Sequence, residues 1–239
     1  MTRERSLVGG IIAAGSGSRL RRDGFRVPKP LVPVAGVPLI ARVIRNFLAA
    51  RITSLRIIVN GEDRQCVNWV RSHFPRLRAE FIVRTTASSL ESFAEVAGAD
   101  GDRPMLVSTV DACCAERDFA RFAEAAAARP PESTVLAVTP LVADENPLWV
   151  DLDEGGRIAS VGGERSRFVT AGIYLVSGRV RQIAPPPGLK RLREYLAWLW
   201  RSGETMYGEV IETVVDVDRR QDVALAEALT FAERTTERR

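Results

Sequence analysis

The sequence predicts an α/β fold, a single three-layer α/β/α domain on a mainly parallel mixed sheet, with a β-rich second half. Three observations lead there. Apolar residues alternate between strand-like and helix-like periods from residue 8 to residue 128. The strand-like runs are short and almost wholly apolar, as strands covered on both faces are. A Gly/Ser-rich loop, Gly15 to Ser18, follows the first of them directly.

Taken in order, Val8 to Ala13 reads as a buried strand. From Pro38, residues Leu39, Ile40, Val43, Ile44, Phe47 and Leu48 fall on one face of a helix, with Arg42, Arg45 and Asn46 opposite. Leu55 to Val59 is the next strand, and a helix from Glu62 to Phe74 is closed by Pro75. Ala79 to Val83 is a strand, and Leu90 to Ala97 a helix capped by Ser88 or Ser89. Met105 to Thr109 is strand-like and Phe119 to Ala128 helical. Strand–helix repetition of this kind builds a Rossmann-like parallel sheet with helices on both faces, and such sheets bind ligands at the carboxyl ends of their strands. The loops after Ala13, Val83 and Val110 are therefore where chemistry is expected.

Beyond residue 133 the pattern turns β-rich. Val135 to Thr139, Leu148 to Leu152, Ile158 to Val161 and Phe168 to Val176 are short strands, with a turn at Asp153 to Gly156. Leu189 to Trp200 is a helix whose apolar face belongs to a core or to an interface, core being the simpler reading. Val214 to Val217 is a strand, and a last helix starts near Arg219. No repeat or long linker divides the chain, so 1–239 is read as one domain, its halves 1–132 and 133–239.

Composition excludes several classes. In 239 residues, 46% are hydrophobic and 27% charged, the balance of a globular protein, and no apolar run reaches the length of a membrane span. Arg3 and Arg5 precede an apolar stretch broken at Gly9 and Gly10, which does not read as a signal peptide. Cys66, Cys113 and Cys114 lack metal spacing and read as reduced thiols of a cytoplasmic protein. The pI near 9.3 is no nucleic-acid signature, because the arginines are dispersed along the chain. No nucleic-acid or membrane partner is expected. His73, the only histidine, reads as a surface helix residue.

Ala13, Ala14, Gly15, Ser16, Gly17, Ser18 and Arg19 form a phosphate-cradle pattern: small residues let backbone N–H groups approach an anion, and arginine chelates phosphate oxygens. A plain turn is the alternative. The dinucleotide fingerprint fails at Leu20, and the Walker loop fails at Ser16, which follows Gly15 where lysine is required. Only two lysines occur in the chain, Lys29 and Lys190, and Lys29 lies between Pro28 and Pro30. A lysine so stiffened suits a phosphate whose charge changes during reaction.

The series Ala13-Ala14-Gly15-x-Gly17-x-Arg19-Leu20, then Pro28-Lys29-Pro30-Leu31, then Gly36-x-Pro38-Leu39-Ile40 resembles the signature of the nucleotidyltransferase family, which includes sugar-phosphate nucleotidyltransferases, bacterial phosphocholine cytidylyltransferases and molybdenum-cofactor guanylyltransferases. The resemblance implies transfer of a nucleoside monophosphate from a nucleoside triphosphate to a small phosphorylated acceptor, with Mg²⁺ and release of pyrophosphate. It implies catalytic roles for Arg19, Lys29 and Asp111, and nucleotide contacts from residues 13–19, Lys29 and Ser89. It implies metal ligation by Asp111 with Asp218 or Asp216, Asp218 being favoured as the direct ligand. Acceptor contacts fall on Glu164, Arg165 and Gly172. Asp111 and Asp218 could instead cap helices. Ser89-Leu90 is closest to the cytidylyltransferase branch. Two departures, Val110 for glycine and Arg165 for lysine, motivate the alternative of a catalytically inactive nucleotide-binding module. Alanine at Lys29 or Asp111 is expected to cut turnover by orders of magnitude and leave folding intact.

Overall fold

The computed structural model describes residues 7–98, 103–142 and 146–236. The first half runs β1 (Val8–Ala13), α1 (Ser18–Arg22), a 3-10 turn (Lys29–Leu31), the small hairpin β2 (Pro33–Val34) and β3 (Val37–Pro38), then α2 (Leu39–Ala49), β4 (Ser54–Val59), α3 (Arg64–His73), β5 (Arg78–Val83), α4 (Ser89–Ala97), β6 (Met105–Thr109), β7 (Ala112–Cys113) and α5 (Glu116–Ala128). The second half runs β8 (Thr134–Thr139), β9 (Trp149–Leu152), β10 (Ile158–Val161), β11 (Phe168–Val176), α6 (Gly178–Arg181), α7 (Leu192–Arg201), β12 (Met206–Val210), β13 (Val215–Asp216) and α8 (Arg220–Thr236).

Strands β5, β4, β1 and β6 are parallel neighbours; β11 joins β6 antiparallel and is followed outward by β8 and β12, while β9 and β10 branch from its start. The apolar run of β1 shows why such strands lack alternation. Ile11 and Ala13 face a core formed with α2, α3, α5 and α8, whereas Ile12 and Ala14 face a second core with α4, α6 and α7. Both faces are covered, which is the three-layer arrangement expected.

Several boundaries move for local reasons. The cap of α4 is Ser88, whose hydroxyl accepts from Glu91 N at 3.1 Å. The helix expected from Leu189 starts at Leu192, because the Glu194 carboxylate bonds back to the N–H groups of Lys190 and Arg191 and fixes the start there. Its apolar residues Leu192, Tyr195, Leu196 and Leu199 are buried in the second core. The strand expected over Val214 to Val217 shortens to β13, which leaves Asp218 just past its end. His73 is exposed at the end of α3, stacked on Trp69.

Candidate active site

The site is assembled where the chain leaves β1, β6 and β13. After Ala13 the backbone turns through 14–17 into α1. Gly17 caps this helix at φ +60°, and a Cβ on it would stand 2.8 Å from Lys29 Cβ. Glycine is required both by the left-handed backbone and by the lysine packed against it. Ala13 and Ala14 are buried, Gly15, Ser16 and Ser18 exposed. Asn60 anchors the loop: its Nδ2 donates to Ala14 O at 3.1 Å, and its Oδ1 accepts from Thr85 Oγ1 at 3.0 Å. One buried amide thus ties together the carboxyl ends of β1, β4 and β5.

Asp111 follows β6, and β7 pairs antiparallel with β13, Ala112 opposite Asp216. Asp111 O accepts from Val217 N at 3.1 Å, so this two-strand ribbon brings Asp111, Asp216 and Asp218 to one place from positions over a hundred residues apart. Between them lies the ammonium of Lys29, a side chain only 7% exposed, which donates to Asp111 Oδ2 at 2.5 Å and also to Asp218 Oδ1. Arg19 Nη1 donates to Asp218 Oδ2 at 2.8 Å. The capping role for Asp218 is not what the structure shows: Asp222 takes it, accepting from the N–H groups of Asp218 and Arg219 at 3.0 and 2.7 Å.

Electrostatics follow from this geometry. Burial works against the charge on Lys29, but Asp111, then Asp218 and Asp216, more than reverse it and hold the ammonium above the usual lysine range. Burial likewise disfavours the Asp111 carboxylate, and Lys29 overrides it, so its pKa lies below the ordinary value. Burial, then Asp216 and Asp111, push the Tyr174 hydroxyl upward, which keeps it protonated and a donor at neutral pH. Each is the other's counter-charge, with Lys29 buried and Asp111 half-buried, so alanine at either position is expected to cost stability as well as turnover.

Beside this ion cluster is a cavity of about 230 Å³ whose walls include Ser89, Asp111, Asp216, Asp218, Gly172 and Arg193. Gly172 has φ +73°, and a Cβ there would meet Thr109 Oγ1 at 2.6 Å; the register of β11 against β8 shifts between Thr170 and Tyr174, around this glycine. Ser89 Oγ accepts from Leu192 N at 3.0 Å and so links the starts of α4 and α7 at the rim.

Comparison with known proteins bears on this arrangement. The family of MobA-like NTP transferase domains matches residues 9–167, which takes in the glycine loop, Lys29 and Asp111. The chain belongs to that family. The chain is 25% identical over 199 residues to a CMP-5'-(3-aminopropyl)phosphonate synthase of Streptomyces rubellomurinus, covering 78% of this chain and 31% of that one. It is 33% identical over 110 residues to a mannose-1-phosphate guanyltransferase of Gibberella zeae, covering 44% of this chain and 30% of that one. The chain spans about a third of the length of these curated relatives. The fold matches an inositol-1-phosphate CTP transferase from T. maritima with TM-score 0.79 at 15% identity, over 92% of this chain and 95% of that one.

Of the expected site residues in this NTP transferase domain, Arg19, Lys29, Asp111, Asp216, Asp218, Ser89 and Gly172 come together with the 13–18 loop. Glu164 and Arg165 do not. Both are exposed on the turn between β10 and β11, which Ser166 fastens to β9 through a 2.9 Å bond to Val150 O, and neither lines the cavity. Arg193, on α7, lines it instead. Sequence reading missed Arg193 and Asn60. Asn60 carries a faint signal, a polar residue ending the apolar run Ile57–Val59; Arg193 carries none.

Proposed function

We propose that this domain transfers a nucleoside monophosphate from a nucleoside triphosphate to the phosphate or phosphonate oxygen of a small acceptor, releasing pyrophosphate. The observation that carries this is the Lys29 ammonium held between Asp111 and Asp218, beside the glycine loop and at the edge of the cavity. The triphosphate lies over residues 13–18 against the 1–132 half, with Arg19 on its β- and γ-phosphates. Lys29 faces the α-phosphate, where it stabilises the charge that grows as the acceptor oxygen attacks phosphorus and the bond to pyrophosphate breaks. The acceptor is already ionised near neutral pH, so no side chain need remove a proton.

The residues present also fit Mg²⁺. Asp111 and Asp218 are hard oxygen donors already converging on a cation, and Asp216 is close enough to act on it electrostatically. No group of three or more His, Cys, Asp or Glu forms a complete metal cage among the described residues. Mg²⁺ is usually held by one or two carboxylates, with phosphate and water completing its shell. Bound there, it would neutralise charge on the phosphates. Two placements count against the inactive-module reading: Val110 is buried with its N–H bonded to Ile12 O at 3.0 Å, and Arg165 does not line the cavity.

The deciding experiment is a pyrophosphate-release screen of the four triphosphates against sugar 1-phosphates, alcohol phosphates and a phosphonate, with and without Mg²⁺. Release that requires one triphosphate and one acceptor class is the expected result; none from any pair overturns the proposal. We place the acceptor in the 133–239 half, with its phosphate or phosphonate on Arg193. Arg193→Ala should raise the KM for the acceptor about tenfold or more, the loss of one charged contact, and leave that for the triphosphate within error. Equal effects on both KM values would remove Arg193 from the acceptor site.

A further inference from the structure

A second cavity, of about 360 Å³, lies behind the carboxylate ribbon, enclosed by α2, the start of α5, β7, β13 and α8. It falls in the size range of small-molecule sites, about 300–1,000 Å³. Its lining is basic: Arg42, Arg45 and Arg117 against Glu116 as the single carboxylate among the described residues. The N-terminus of α5 opens on it without a side-chain cap at Ala115, leaving backbone donors and the positive end of the helix dipole toward the space. Two buried polar atoms in its wall have no partner among the described residues, Arg42 Nε and Asn46 Oδ1. Asn46 is 1% exposed, and its Nδ2 makes only a long contact, 3.5 Å, to Cys114 Sγ.

A buried amide oxygen left unpaired in the core face of a helix is costly, and such groups generally answer to something that occupies the space beside them. From these observations we infer that the cavity is a second binding site, for a small phosphorylated molecule that also carries a hydroxyl donor. The arginines and the α5 N-terminus take the phosphoryl group. Asn46 Oδ1 accepts from the hydroxyl. The ligand rests on Cys113 and Val215, the residues of the ribbon paired opposite each other, one register step from the Ala112–Asp216 pair and on the far side of the ribbon from the proposed reaction. Binding here does not depend on the transferase reading, and its test uses no turnover.

Cys114 is the reporter: it lines this cavity and is half-buried, whereas Cys66 is buried away from it and serves as the internal control. The full chain is alkylated with N-ethylmaleimide, and labelling at each cysteine is followed by peptide mass. Saturating glycerol 3-phosphate should slow Cys114 labelling about tenfold, by mass action on the occupied fraction. Sulfate, which offers no hydroxyl, should protect less. Arg45→Glu, at an exposed position outside the proposed active site, should abolish protection, and Arg193→Ala should preserve it. Unchanged labelling with glycerol 3-phosphate, or protection that survives Arg45→Glu, overturns the site. Loss of protection in Arg193→Ala assigns the effect to the acceptor cavity and overturns it too, and protection by sulfate equal to that by glycerol 3-phosphate overturns the hydroxyl contact.

Discussion

Lys29→Ala is expected to lower pyrophosphate release at least a hundredfold and to destabilise the fold at the same time. The catalytic part follows from the proposed role of Lys29: removing a donor aimed at charge that develops in the transition state typically costs about 10²–10³ in rate. The structural part follows from burial. Lys29 is the counter-charge of Asp111, whose side chain is 19% exposed, and losing one partner of a buried pair costs about 3 kcal/mol or more. Asp218, 35% exposed, keeps Arg19 and solvent, and adds little. In a domain of this size the loss lowers the melting midpoint by about 6–12 °C. The two effects separate in the double variant Lys29→Met with Asp111→Asn, which removes both charges: melting should recover most of the way, and activity should not recover at all. Thermal melts and pyrophosphate release on the three proteins check this. A single Lys29→Ala variant that melts like the parent would show that the ion pair contributes nothing to folding, and near-normal turnover would remove Lys29 from the reaction.

What the sequence made legible divides along a physical line. Elements whose signal is local periodicity were readable: β1, α2, β4 and α4 fall where the apolar pattern puts them, because both faces or one face must be buried whatever the partner. Lys29 stood out as one of two lysines and as held by prolines, and the Asp216/Asp218 pair entered through the family resemblance; the structure brings all three together. β12 was not readable. Met206 to Val210 contains Gly208 and Glu209, and it becomes a strand only because β8 offers it a parallel edge from over sixty residues away. The hairpin of β2 and β3 has two residues per strand, too few for any period. Arg193 was hidden for the same reason as β12: on α7 it reads as one more charged residue of an amphipathic helix, and only the docking of α7 against α4 carries it to the cavity. Glu164 and Arg165 show the converse, a plausible local pair that the turn between β10 and β11 leaves in solvent.

Asp111→Ala is the second large effect, and its character differs from that of Lys29→Ala. Removing the carboxylate leaves the Lys29 ammonium buried with Asp218 as its remaining bonded partner, so the variant should fold with a smaller penalty, about 1–3 kcal/mol. Turnover should fall by about a thousandfold, since both the aim of Lys29 and a proposed Mg²⁺ ligand are lost, and raising Mg²⁺ should restore little of it. A pH series adds an independent reading. The folded-state pKa of Asp111 is depressed below its ordinary value of 3.8, so the unfolded chain binds more protons just below that pH, and the contribution of Asp111 to stability is present above it and lost as pH falls through the folded value. Lys29 has the opposite sign: its folded-state pKa is raised above 10.5, so its contribution is complete below that pH and fades only as pH rises beyond it. The parent should therefore hold a plateau of pair stabilisation across neutral pH, with an acid limb that Asp111→Ala makes shallower and an alkaline limb that Lys29→Ala makes shallower. Melting midpoints of the three proteins from acid to alkaline pH measure both limbs. An acid limb in Asp111→Ala as steep as in the parent would mean that another carboxylate, not the partner of Lys29, governs acid unfolding.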